Sequence, residues 1–155
     1  MENIQKFKKA QESNENLEKI ALELLGEQPR NLEIKWNNRL RASAGRCRHY
    51  IGQDRYVIDI SSKLYSNFWN FKEDSKEFKE LAESFIDTII HELAHYCQRK
   101  KYKKGGHGET FVDEAKRLGG SGRKYYTERE SYLFGIIDKE KYIEYQLSCY
   151  FANRM

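Results

Sequence analysis

The chain has 155 residues, 39 % hydrophobic and 34 % charged, with a formal net charge of +4 and a sequence pI near 8.8. That length suits one domain, no run approaches the ~20 apolar residues of a membrane span, and the polar start Met1–Ala10 lacks a signal segment, so a single soluble domain over 1–155 is expected inside the cell, with no membrane partner. Three cysteines, Cys47, Cys97 and Cys149, lie about fifty residues apart, which excludes a disulfide framework and a cysteine zinc knuckle.

In chain order, Phe7, Ala10, Leu17, Ile20, Ala21 and Leu24 keep helical spacing from about Ile4 to Leu25, and Gly26 with Pro29 ends the pattern, so one or two helices open the chain. Leu32, Ile34 and Trp36 then alternate with Glu33 and Lys35. Asn37-Asn38 offers a turn, a second extended stretch runs from Arg39 to Ile51 with a break at Gly45, and a third carries Tyr56, Ile58 and Ile60. These predict an antiparallel meander of three strands. Ser61-Ser62 caps a short helix ending near Trp69, and Lys72–Ser75 is a polar linker. Phe78, Leu81, Ala82, Phe85, Ile86, Ile89, Leu93, Ala94 and Cys97 recur at steps of three and four, the mark of the longest helix. A basic run from Arg99 to Lys104 and a turn at Gly105-Gly106 precede a helix with Phe111, Val112, Ala115 and Leu118 on one side, stopped by Gly119-Gly120. Beyond Gly122, Ile143, Tyr145, Leu147, Cys149 and Phe151 alternate with polar residues. They predict a strand hairpinned with Tyr132–Ile137 across Asp138-Lys139, so that a core of about 30–120 is followed by a β-rich tail, 121–155.

His91-Glu92-Leu93-Ala94-His95 is H-E-x-x-H on the long helix. Residues four apart on a helix lie ~6 Å apart on one side, so both imidazoles can close on one tetrahedral zinc ion. Glu92 falls beside the ion, placed as the general base that takes a proton from water and passes it to the leaving amine of a cleaved peptide. A catalytic zinc wants a third protein ligand. A metzincin would need glycine at 98 and histidine at 101, where this chain has Gln98 and Lys101. His107, returned toward His95 by Gly105, Gly106 and Gly108, is the expected third ligand, with Glu109 and Glu114 as rivals. The bland alternative for these histidines is ordinary helix surface, or a purely structural zinc. His49 reads as structural or exposed, and Cys97 as core.

Trp36-Asn37-Asn38-Arg39-Leu40-Arg41 with Ala44-Gly45-Arg46-Cys47, then Ile58-Asp59-Ile60-Ser61, the H-E-x-x-H and Gly106-His107-Gly108-Glu109-Thr110-Phe111 resemble, in that order, the SprT-like zinc metalloprotease family and its Spartan-like catalytic domain. The resemblance spans about Leu32 to Gly119. It implies a minimal zincin fold, and with the elements read above the expectation is an α+β domain with a three-stranded antiparallel sheet, the H-E-x-x-H helix, a third-ligand helix and a short C-terminal β hairpin. It also implies His91, His95 and His107 as ligands of one Zn2+, Glu92 as catalytic, and DNA-dependent cleavage of proteins bound or crosslinked to DNA, as in DNA–protein crosslink repair. Nuclear or nucleoid residence is then open to it. The zinc ribbon that many relatives append is absent, degenerate or truncated, since the tail holds only Cys149.

Arg39 with Arg41, and Arg46 with Arg48, are spaced by two, which aims each pair at one strand face. Lys100, Lys101, Tyr102, Lys103 and Lys104 add a basic loop with an aromatic for stacking, a composition suited to single-stranded or unpaired DNA. The alternative is that both clusters are the solvated faces of a Lys-rich protein.

Overall fold

Seven helices and one three-stranded sheet make up the described residues, 2–153, of the computed structural model. The opening is two helices, α1 (Asn3–Ala10) and α2 (Asn14–Leu25). Ser13 caps α2 by accepting from the Asn16 backbone N–H, and Gly26 closes it in the left-handed conformation. Three strands follow: β1 (Leu32–Asn37), β2 (Gly45–Tyr50) and β3 (Arg55–Ser61). Ser61 caps a single turn of helix, α3 (Ser62–Tyr65), which runs into a 3-10 turn at Ser66–Asn70. The long helix, α4 (Lys76–Tyr102), is capped by Ser75 and ends at Lys103 in the left-handed region. It is followed by α5 (Glu109–Arg117), α6 (Glu128–Leu133) and α7 (Lys139–Ala152). Among the described residues, no helix is long and apolar enough to cross a membrane.

The sheet departs from the expected meander. Its order is β1-β3-β2, with β3 in the middle, antiparallel to β2 and parallel to β1. The strand directions alternate as in a meander; only the neighbours differ. The reason lies in β3, where Tyr56, Val57, Ile58 and Ile60 are apolar in both phases of the strand and every residue from Tyr56 to Ser61 is buried. A strand buried on both faces belongs inside the sheet. The stretch from Asn38 to Ala44 is consequently a connection passing to the far edge, rather than part of a second strand.

The expected C-terminal hairpin is also overturned, because its two arms fall on helices, α6 (Glu128–Leu133) and α7 (Lys139–Ala152), joined by a turn. Thr127 and Glu130 form a reciprocal capping box for α6, and the Asp138 carboxylate accepts from the Lys141 backbone N–H to start α7. The alternation in the tail buries nothing: no residue of α7 is buried. Period-2 spacing marks a strand only where one face is covered.

α4 lies against β2, β3, α1 and α5. Trp36 fastens β1 to two helices, its indole N–H donating to the Ala10 carbonyl at 2.8 Å and its ring stacking on Phe85 at 5.5 Å. At the start of β2, a Cβ on Gly45 would lie 2.9 Å from the Thr88 methyl and 3.1 Å from Glu92 Cγ. Glycine there lets the edge strand close on α4 beside Glu92.

Candidate metal centre and its cleft

His91 and His95 sit one turn apart on α4, and the Gly105–Gly108 return brings His107 over them. Gly106 supplies the turn at φ +90°, a conformation L side chains rarely adopt. The Nε2 atom of His107 is 3.1 Å from His95 Nε2 and 3.3 Å from His91 Nε2. All three ligand atoms lie within 4.8 Å of one another. A tetrahedral zinc with Zn–N bonds near 2.05 Å needs nitrogens ~3.3 Å apart, so the donor set fits such an ion.

Burial favours the neutral form of all three imidazoles. Burial lowers the pKa of His91, reinforced by His107; burial and both neighbouring histidines take His95 down to about 4; burial lowers His107, the most open of the three. Metal binding requires unprotonated nitrogen, so proton competition at neutral pH is small. The ring orientations are fixed from behind. His91 Nδ1 faces the Arg123 carbonyl at 3.1 Å, and His95 Nδ1 faces Gln98 Oε1 at 3.4 Å, which leaves both Nε2 atoms turned inward. Phe111, fully buried, packs against all three rings with centroids 4.5 to 4.9 Å away, which gives the Phe of G-H-G-x-x-F its role.

Glu92 is 4 % exposed; burial, then the nearby Asp59 charge, pushes its carboxyl up to about 8. The rival third ligands are elsewhere. Glu109 is exposed at the start of α5, outside the histidine cluster, and Glu114 is held between Lys101 at 2.6 Å and Arg117 at 2.8 Å, clamping α5 to α4. His49 stacks on Tyr56. Cys97 is buried, as expected, and burial pushes the Cys47 thiol up to about 12, which disfavours its thiolate.

The histidines and Glu92 lie in a cleft of about 680 Å³. One wall is the segment Ala42–Cys47 and the other is Arg123–Tyr126, joined where the Tyr126 hydroxyl donates to the Ala42 carbonyl at 3.1 Å. Tyr125, 73 % exposed, stands at the mouth with its ring 6.4 Å from that of His107. Arg123 bolts the second wall to α6 through Glu130 at 2.6 Å and to α4 through Asp87 at 3.4 Å.

The candidate nucleic-acid contacts divide in two. Arg46 and Arg48 both clasp the buried Asp59, at 2.9 and 2.8 Å, and Lys100 and Lys101 pair with Asp54 and Glu114. Arg39, Arg41, Lys103 and Lys104 are exposed with no carboxylate partner among the described residues, and Tyr102 is 49 % exposed.

Sequence reasoning missed Gln98 as a positioning residue. It is 1 % exposed, and besides facing His95 it donates to the Gly105 carbonyl at 3.2 Å and to Thr110 Oγ1 at 2.9 Å, so one amide ties a ligand on α4 to the return carrying His107. Gln98→Ala is expected to weaken metal affinity about 10–100-fold, measured by competition with a chromophoric chelator, with helical circular dichroism retained.

The model of the SprT-like family matches residues 10–131, most of the chain. No curated protein and no solved structure matches it.

Proposed function

The chain belongs to the SprT-like family, and on that premise we propose that it is a zinc-dependent endopeptidase, activated by DNA, that cleaves proteins bound or crosslinked to DNA. One observation carries the peptidase reading: three neutral imidazole nitrogens converge beside a buried carboxylate on the floor of an open cleft. Three nitrogen donors that leave a position free suit catalytic zinc better than a closed structural site. A zinc ion held by His91, His95 and His107 would supply Lewis acidity, lowering the pKa of a water to about 7 and polarising a carbonyl.

The chain's own residues do the rest. In its ionised form, which a dication held by the three histidines would favour, Glu92, with Oε2 beside Gly45, takes the proton from the attacking water and hands it to the departing amine nitrogen. β2 is an edge strand and its Gly45–Cys47 segment forms one wall of the cleft, so backbone groups unpaired by β3 are available to an extended substrate. Gln98 and the Arg123 carbonyl hold the two helix histidines in orientation while a substrate is bound.

The DNA reading is supported by the unpaired cations. Arg39 and Arg41 lie on the connection that continues into the cleft wall at Ala42, and Tyr102, Lys103 and Lys104 lie on the approach to His107. A second reading, a zinc peptidase indifferent to nucleic acid, is favoured by the neutralisation of Arg46, Arg48, Lys100 and Lys101 within the protein. The two separate in an assay of self-cleavage and of cleavage of a DNA-binding protein, with and without single-stranded DNA. The DNA reading predicts cleavage that requires the oligonucleotide and fades as salt rises. Cleavage at the same rate without DNA leaves the general peptidase, and zinc binding with no cleavage under any condition points to a DNA-binding adaptor with a structural ion.

A further inference from the structure

The cleft floor continues past the histidines along α4 to Arg99, four residues beyond His95 and eight beyond His91, hence on the same face about one further turn along. The surrounding cations are occupied. Arg46 is bound to Asp59, Arg123 to Glu130 and Asp87, and Lys124 lies at the exposed rim over the Tyr125 ring at 5.3 Å. Arg99 differs in two ways. It is half-buried, and no carboxylate lies within ion-pair distance of it among the described residues. Its guanidinium rests on Gly105, where an added Cβ would lie 2.7 Å from Nη2 and 3.1 Å from Cζ, so the absence of a side chain at 105 is what makes room for it. Arg99 lines the same cleft as His91, His95 and His107.

A half-buried guanidinium with fork-shaped donors, no internal counter-ion and an open cleft before it is a ready receptor for a planar anion. We propose that Arg99 forms a carboxylate-binding subsite, so that the protein prefers peptide substrates carrying a carboxylate a few residues from the scissile bond. This rests on the endopeptidase reading and adds the substrate class to it. The carboxylate has two sources, an acidic side chain or a chain terminus, and both present the same two oxygens to Arg99.

The test uses four peptides of one sequence: Glu or Gln at positions flanking the cleavage site, each with an amidated or a free C-terminus. Binding is measured by fluorescence anisotropy on the zinc-loaded Glu92→Gln protein, which needs no turnover, and kcat/KM is measured on the active protein. Peptides with Glu, or those with a free terminus, are expected to bind about tenfold tighter than the Gln amide, and whichever pair shows it identifies the source. In Arg99→Gln the ratio falls to about one, and in Arg99→Glu a Lys-containing peptide becomes the preferred one, a reversal that a merely structural arginine would not produce. Equal binding of all four peptides overturns the proposal, and the unsubstituted chain suffices for that result even if both Arg99 variants fail to fold. So does a preference that survives in Arg99→Gln, or a loss confined to oligonucleotide binding. Discrimination without cleavage keeps the subsite and removes the endopeptidase; cleavage without discrimination does the reverse.

Discussion

Glu92→Gln is expected to lower turnover of an unfolded protein substrate by about 10²–10⁴-fold, the usual worth of a general acid–base group. The substitution is nearly isosteric and removes only the ability to accept the proton. Its effect on structure should be small for a physical reason: Glu92 is buried against Gly45 and Thr88, and burial already disfavours its charged form, so a neutral amide of the same shape fits that space. Zinc affinity should therefore persist while cleavage is lost, shown by equilibrium dialysis beside a gel-based assay. Loss of zinc together with activity would make Glu92 a structural support of the site. Undiminished turnover would remove it from the reaction.

The second large effect concerns the metal. Because all three ligands come together only in the folded chain, zinc at a hundred times its Kd should add about 2.7 kcal/mol of stability. For a domain of this size that is a rise in Tm of about 5–10 °C, reversed by a chelator. His107→Ala should abolish the rise. His91 and His95 are held by α4, but His107 arrives on a return whose only business at the cluster is to complete it, so its removal leaves two nitrogens and little affinity. Scanning calorimetry of both proteins with and without zinc checks this. An unchanged zinc shift in His107→Ala would return the third position to another residue.

Much of the site was legible because its parts are local in sequence. The step of four between His91 and His95 needs only a helix, and nine apolar residues at steps of three and four announced that helix independently. His107 was legible through the glycines that return it. The supports were not, because they depend on contacts across the fold. The Arg123 carbonyl behind His91 comes from 32 residues downstream, and nothing in a backbone carbonyl marks it in a sequence. Gln98 served only to exclude another ligand pattern until its partners at Gly105 and Thr110 were in place.

The fold errors have equally specific causes. Up, down, up is the direction of both a meander and the observed sheet, so alternation in Leu32–Trp36 could not choose between them; the apolar residues in both phases of Tyr56–Ile60 could have placed β3 in the centre. The tail offered alternating residues and also two helix starts, Thr127-x-x-Glu130 and Asp138 before Lys139, and the caps decided. Charge counts ignore partners, so the sequence could not separate the paired cations of the basic clusters, Arg46, Arg48, Lys100 and Lys101, from the rest. Asp59 is invisible as a counter-ion until register sets it opposite Arg46 and beside Arg48.

Taken together, the long helix carries two of the histidines and the proposed base, a glycine-bearing return adds the third histidine, and an edge strand closes a cleft wall beside them. The measurement that tests this most directly is the hydrolysis of an unfolded protein by the purified chain after metal removal, then after one equivalent of zinc, then after chelation, with single-stranded DNA present throughout and fragments identified by mass spectrometry. The account predicts fragments only in the zinc-loaded state, with one ion bound per chain and recovery on zinc return. Fragments from the metal-free protein, or one zinc bound with no fragments, would contradict it.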